Sequence, residues 1–300
     1  MIVGGIPLLL GGGAPSPGVG GWAIFGYGYA AAVSSLTNLV SNTGVVGADV
    51  TGVGTARQGL AAAGYGTDKA IFGYGYSGGG VSMTNLVSNT GVVGANVTGV
   101  GTARQVLAAA GYGTDKAIFG YGFGPVSMTN LVSNTGVVGA DVTGVGTARQ
   151  GLAAAGYGTD KAIFGYGNAG SVVSLTNLVS NTGVVGANVT GVGTAREDLA
   201  ATGYGTDKAI FGYGGYGPLS MTNLVSNTGV VGADVTGVGT ARAYLAAAGY
   251  GTDKAIFGYG NNGTIYVSTT NLVSNTGVVG ADVTGVGTAR GYLAAASFGT

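Results

Sequence analysis

Residues 68–75 read DKAIFGYG, and the same eight letters begin again at Asp115, Asp160, Asp207 and Asp253. A sixth version, GWAIFGYG, occupies residues 21–28. Aligned on their phenylalanine, the six copies are 47, 47, 45, 47 and 46 residues apart. A near-constant period of this length indicates an array of one supersecondary unit, because each unit can bury its apolar faces only against its neighbours.

Each period contains four segments with strand character. In the second copy we predict strands at residues 60–65, 69–74 and 83–89, and a fourth strand that begins near Val92 after an Asn-Thr-Gly turn. No segment has helical apolar spacing over ten residues. Four strands in about 46 residues are typical of a propeller blade. The predicted fold is therefore all-β, a six-bladed β-propeller with four antiparallel strands per blade.

The small side chains of the LAAA segments support this fold. The innermost strands of all blades converge on the propeller axis, where large side chains would collide, so alanine is expected there. The segments KAIF and NLV supply bulk for the wider spaces between blades.

The two chain ends predict how the ring closes. The first copy lacks the LAAAGYGTD segment before its phrase, and the chain ends with that segment alone, LAAASFGT at residues 293–300. We therefore expect the C-terminal first strand to pair with the N-terminal second strand. Trp22 and Phe298 lie at this junction, where larger aromatic side chains would add buried area at roughly 25 cal/mol per Å².

Composition excludes several classes of function. Lys plus Arg equals Asp plus Glu at 11 each, which gives no basis for binding nucleic acid. Charged residues make up only 7%, against about 25% in a typical soluble protein. The chain has no Cys and no His, so thiolate catalysis, zinc–sulfur sites and the commonest general base are excluded. We expect no cofactor and no metal.

Residues 1–21, MIVGGIPLLLGGGAPSPGVGG, stand outside the repeat. No Lys or Arg precedes Arg57, so the positive segment of a secretory signal is absent, and the glycines and prolines argue against a membrane-spanning helix. We predict two regions: an extended apolar Gly/Pro arm at residues 1–21 that docks on a partner, and the propeller at residues 22–300.

The pattern TAR-x-x-LAAA-GYG-TDKAIFGYG resembles the kelch repeat, with an Arg, a small apolar strand, a turn, an aromatic strand and a glycine doublet that is split here by Tyr74. The tryptophan of a later kelch strand is missing.

The phrases DKAIFGYG and TNLVSNTGVV also resemble tandem repeats of tailed bacteriophage proteins. This resemblance implies a virion protein of the tail, fibre or capsid surface, extracellular when displayed, whose arm contacts other virion proteins in a homo-oligomer or larger assembly. The alternatives are a lectin-like propeller without a virion role and an engineered consensus scaffold.

Candidate catalytic residues are scarce. Kelch-like copper-radical oxidases need His and Cys, which this chain lacks. The six arginines recur once per repeat, so we interpret them as structural residues that bond loop carbonyls or a neighbouring acid. A recurrent position holds Asp49, Asp141, Asp234 and Asp282 but Asn96 and Asn188, which indicates a turn cap rather than a calcium site. We therefore predict a protein that is not an enzyme.

Recognition is expected where the copies differ, since loops on a rigid scaffold commonly bind ligands. The copies differ between the second and third strands and in the pair after each Arg, two places that should share one face. Of 17 Tyr and 8 Phe, all but seven occupy recurrent positions. The alternative is that these seven only prolong strands or fill the axial funnel. Predicted contacts to a host surface glycan or receptor are four residues at the loop rim (Tyr76, Phe123, Tyr216, Tyr266), four near the axial mouth (Tyr244, Tyr292, Glu197, Asp198) and Tyr29.

Overall fold

The computed structural model describes residues 21–299. This part of the chain contains eighteen β-strands and no helix. The strands are β1 (Trp22–Tyr29), β2 (Val33–Val40), β3 (Ala61–Tyr65), β4 (Lys69–Gly73), β5 (Thr84–Val87), β6 (Ala108–Tyr112), β7 (Lys116–Gly122), β8 (Val126–Val132), β9 (Ala153–Tyr157), β10 (Lys161–Gly165), β11 (Thr176–Val179), β12 (Ala200–Tyr204), β13 (Lys208–Gly212), β14 (Thr222–Val225), β15 (Ala246–Tyr250), β16 (Lys254–Gly258), β17 (Thr270–Val273) and β18 (Ala294–Phe298).

The strands form six three-stranded antiparallel sheets that repeat one plan. In five sheets the strands are consecutive along the chain, from β3–β4–β5 to β15–β16–β17, and the middle strand pairs with both neighbours. The sixth sheet has the order β18–β1–β2, with a register that runs from Trp22 opposite Phe298 to Gly26 opposite Ala294. The all-β tandem-repeat prediction is confirmed, and six such sheets fit a six-bladed propeller-like arrangement.

The expected fourth strand is not a regular strand. In the second repeat the segment after β5 forms only two isolated bridges, Val87 to Val93 and Thr84 to Val97. One extra residue lies on the outer segment between these bridges, which is the geometry of a β-bulge. Gly94 and Val97 still bond the backbone of Leu86 and Thr84 at 2.8 and 2.7 Å. The bulge interrupts the ladder, so the sheets have three strands and a bridged outer segment.

The repeated phrase packs each sheet against the next. A Cβ added at Gly73 would lie 2.6 Å from Cζ of Phe119, so glycine makes room for the phenylalanine of the following sheet. The same ring contacts Tyr74 edge-on, with centroids 5.1 Å apart. The guanidinium of Arg104 covers the Tyr74 ring at 4.4 Å. Phe, the first glycine and Tyr of FGYG therefore all contribute to contact between sheets, which explains why they repeat.

The apolar core lies between the sheets. Each of six buried clusters combines side chains from two adjacent sheets, and one of them joins Ile256 and Tyr259 to Phe25 and Leu293. The first strands of all six sheets surround one narrow cavity that is lined almost entirely by alanine and glycine. This lining agrees with the prediction that small side chains occupy the centre.

Residues 1–20 and Thr300 lie outside the described residues, and so does the predicted arm apart from Gly21. Within residues 21–299, no helix is long and apolar enough to cross a membrane.

Candidate functional site

The two variable regions of the repeat lie on one face, which we call the loop face. In the second repeat Gln58 and Tyr76 exchange backbone hydrogen bonds of 3.1 and 2.8 Å, which joins the pair after Arg57 to the loop after β4. Gln150 pairs with Asn168 in the same way, and Ala243 with Asn261. The prediction that both variable regions share a face is therefore confirmed.

At the centre of the loop face, six residues form a closed cycle of backbone hydrogen bonds, which we call the mouth ring. Each N–H donates to the carbonyl of the equivalent residue in the preceding sheet, at 2.7–3.1 Å. All six residues have positive φ, between 54° and 60°. Sequence reasoning missed this ring, because a left-handed backbone is expected at glycine but not at Val or Tyr. The ring consists of Gly59, Val106, Gly151, Asp198, Tyr244 and Tyr292.

The mouth ring encloses a cavity of about 80 Å³ that is floored by one leucine from each sheet. Three consecutive ring positions carry large or charged side chains: Asp198, Tyr244 and Tyr292. The two tyrosine rings stack with centroids 4.1 Å apart. These three predicted contact residues therefore lie together at the mouth, as expected. Glu197 is half-buried beside them and does not line the cavity.

Electrostatics set Asp198 apart from the other acids. Its pKa is raised to about 7, first by burial and then by the Glu197 charge, with hydrogen bonding to Tyr244 partly opposing both. Burial is also the main cause of the raised pKa of Tyr244, to which the charge of Asp198 adds. A Cβ added at Gly151 would lie 3.1 Å from Oδ1 of Asp198, so the carboxyl group lies over the adjacent glycine of the ring.

The four predicted rim aromatics divide into two pairs. Phe123 and Tyr216 are 58% and 92% exposed, as predicted. Tyr76 and Tyr266 are half-buried, so their rings are only partly accessible. Tyr266 packs edge-on against Tyr29 at 6.0 Å, and a Cβ at Gly291 would lie 2.7 Å from the Tyr266 ring.

The arginines are structural, as predicted. All six are buried, and the guanidinium of Arg57 donates to Oδ1 of Asn85 at 2.6 Å and to the carbonyl of Thr55 at 3.2 Å. The same contact to asparagine recurs in every repeat. These pairs are Arg104 with Asn130, Arg149 with Asn177, Arg196 with Asn223, Arg242 with Asn271, and Arg290 with Asn38.

The alternating Asp and Asn position is a loop cap, also as predicted. Asp141 accepts hydrogen bonds from the backbone N–H and hydroxyl of Thr102 at 3.0 and 2.7 Å. Asn96 accepts from the backbone N–H of Thr55 and donates to its hydroxyl, which shows that a charge is not required. Among residues 21–299, no group of three or more His, Cys, Asp or Glu side chains could hold a metal ion.

The two aromatics at the chain ends differ in burial. Phe298 is 3% exposed and packs in the cluster that contains Phe72 and Leu60. Trp22 lies opposite Phe298 but is 42% exposed. The expectation that both aromatic side chains bury area at this junction therefore holds for Phe298. It holds only in part for Trp22, which is the first residue of β1 and remains partly exposed.

A comparison of the chain with protein-family models and with curated proteins found no match.

Proposed function

We propose that the chain folds as a closed six-bladed β-propeller in which each bridged outer segment serves as the fourth strand of its blade. Three observations support closure. β18 pairs with β1 along five residues, the mouth ring returns from Tyr292 to Gly59 at 2.9 Å, and the N–H of Gly299 donates to the carbonyl of Asp68 at 2.8 Å. The last contact repeats the bond from Gly66 to Asp115 between consecutive sheets.

On this scaffold we propose a recognition protein without catalytic activity that binds through the loop face. The distribution of aromatic side chains carries this proposal. The recurrent tyrosines and phenylalanines of the strands are all buried, whereas the seven tyrosines and phenylalanines that break the repeat all lie on the loop face. A purely structural propeller has no need to place Phe123 and Tyr216 in solvent there.

The ligand class that we propose is carbohydrate. Exposed aromatic rings provide flat apolar surfaces against which the C–H faces of sugar rings can stack, and tyrosine adds a polar hydroxyl. The scarcity of charge across the chain favours a ligand recognised by stacking rather than by ion pairs. Alternatively, the same exposed rings would anchor a protein partner.

We further propose that the protein is displayed on a bacteriophage virion, where its loop face would meet a host surface glycan and residues 1–20 would contact other virion proteins. The resemblance of DKAIFGYG and TNLVSNTGVV to phage tandem repeats supports this placement. Mass spectrometry of purified particles tests it, because a virion protein remains with the particles through density-gradient purification. A lectin without a virion role would be absent from them.

A glycan array tests recognition. We expect the full chain to bind a restricted set of glycans, and the double variant Phe123→Ala/Tyr216→Ala to lose at least about tenfold in affinity at an unchanged melting temperature. Val230→Ala is the matched control, because this side chain is 65% exposed on an outer segment away from the loop face. An array without hits, or a double variant that binds as tightly as the parent chain, contradicts the proposal.

A further inference from the structure

The mouth ring allows the same backbone position to be compared six times within one chain. At Gly59 and Gly151 the ring closes with no side chain at all, so the fold itself does not require one. Asp198, Tyr244 and Tyr292 nevertheless occupy three consecutive positions, with φ of 55°, 58° and 55°. A left-handed backbone costs conformational energy for a residue with a side chain, a cost that glycine at positions 59 and 151 avoids.

These three side chains combine negative charge with aromatic surface. Asp198 and Glu197 are adjacent and half-buried, and within residues 21–299 neither forms an ion pair with a Lys or Arg. The nearest arginine in sequence, Arg196, is held by Asn223 at 2.7 Å and by the carbonyls of Tyr213 and Thr194. The cations of the scaffold are therefore committed elsewhere, and the acidic side of the mouth lacks a counter-charge.

Four tyrosines extend this side of the mouth. Tyr244 stacks on Tyr292, a Cβ added at Gly291 would lie 2.7 Å from the Tyr266 ring, and Tyr266 packs edge-on against Tyr29. Tyr244 and Tyr292 precede β15 and β18, Tyr266 lies in the loop between β16 and β17, and Tyr29 is the last residue of β1. The opposite side of the ring holds only Gly59, Val106 and Gly151. The mouth thus has one acidic, aromatic side and one plain apolar side.

We propose that this mouth binds an alkylammonium group. The Asp198 carboxylate would neutralise the charge, Glu197 would add attraction, and an outer face of the stacked Tyr244–Tyr292 pair would supply cation–π contact. A cavity of about 80 Å³ has room for one such group with little else. The same chemistry is found on a lysine side chain and on an amino sugar. The site is separate from the rim rings Phe123 and Tyr216.

Calorimetric titration with four probes tests the proposal: D-glucosamine and Nα-acetyl-lysine methylamide carry the ammonium group, and N-acetylglucosamine and Nα,Nε-diacetyl-lysine methylamide are their neutral counterparts. We expect at least one charged probe to bind about tenfold or more tightly than its counterpart. Amide chemical-shift changes should be confined to the mouth ring, including Gly59 and Gly151. Binding of glucosamine alone would identify a sugar source, and binding of acetyl-lysine alone a protein source.

Three variants locate the site. Asp198→Asn keeps the size of the side chain and should weaken binding about tenfold or more, and Tyr292→Gly installs the residue found at Gly59 and should also weaken it. Val106→Gly, on the opposite side of the ring, should leave affinity unchanged, as should Phe123→Ala/Tyr216→Ala. Failure of both charged probes to bind, equal binding of charged and neutral probes, or unchanged affinity in Asp198→Asn overturns the proposal. None of these outcomes depends on glycan binding at the rim.

Discussion

Nη2 of Arg290 donates a hydrogen bond of 2.6 Å to Oδ1 of Asn38, a residue 252 positions earlier in the chain. Nε of the same arginine donates to the carbonyl of Tyr27 at 2.8 Å. In the second repeat the equivalent bond joins Arg57 to Asn85, only 28 positions apart. The same arginine–asparagine hydrogen bond therefore joins neighbouring segments in the second repeat and the two ends of the chain in the sheet β18–β1–β2.

This equivalence predicts the effect of Asn38→Ala. Removal of the amide leaves Nη2 of the buried Arg290 without its acceptor, which should lower the free energy of unfolding by roughly 1–3 kcal/mol. Asn85→Ala is the matched variant and should cost a similar amount. Urea denaturation, followed by the emission of Trp22 as the single tryptophan, measures both. A destabilised Asn85→Ala beside an unaffected Asn38→Ala would show that the chain ends do not join in solution.

Deletion of residues 293–300 removes β18. The edge of β1 then loses its partner, and Phe72 and Leu60 lose the contact with Phe298 and Ala296. We expect a large fall in melting temperature and aggregation, because an unpaired strand edge recruits other chains. Calorimetry and light scattering measure these effects. A truncated protein that melts within a degree or two of the full chain and stays monodisperse is the contrary result.

The repeated phrase made the sheets predictable, because Phe, Gly and Tyr must all be present for one sheet to pack on the next. The alanines predicted the narrow centre for a similar steric reason. No comparable signal predicted the interrupted outer segment, since a β-bulge depends on register and not on residue type. Nor could it show the mouth ring, because Val106 and Tyr244 hide a backbone conformation that only glycine would have suggested. The one available hint was the second residue after each repeat arginine, which is glycine in two of the six copies.

Close packing of the phrase predicts the effect of Gly73→Ala. The added methyl would lie 2.6 Å from Cζ and 3.0 Å from Cε1 of Phe119, a ring that is fully buried and has no free space to enter. We expect a loss of about 1–3 kcal/mol of stability from overpacking. Gly217→Ala serves as the control, since no atom lies within 4 Å of its added methyl. Thermal denaturation should separate the two variants clearly. Equal stability would mean that adjacent sheets are not packed this closely.

The half-buried carboxyl group of Asp198 predicts a dependence of stability on pH. Its pKa is raised from 3.8 to about 7, first by burial and then by the Glu197 charge, so the folded protein retains a proton that the unfolded chain releases above about pH 4. This contribution is fully present below that pH and is lost as the pH rises to about 7. Hydrogen bonds from Thr194 and Asn223 outweigh burial and lower the pKa of Asp234, whose contribution therefore has the opposite sign.

A comparison with Asp198→Asn isolates the effect, because the other carboxyl groups contribute equally to both proteins. The asparagine variant should gain stability relative to the parent chain as the pH rises from about 4 to 7, by an amount on the order of a few kcal/mol, and the difference should then level off. Urea denaturation at several pH values measures it, with Glu197, Tyr244 and Tyr292 left intact around the site. A stability difference that is independent of pH would mean that Asp198 titrates as an ordinary exposed carboxyl group, open to water at the mouth.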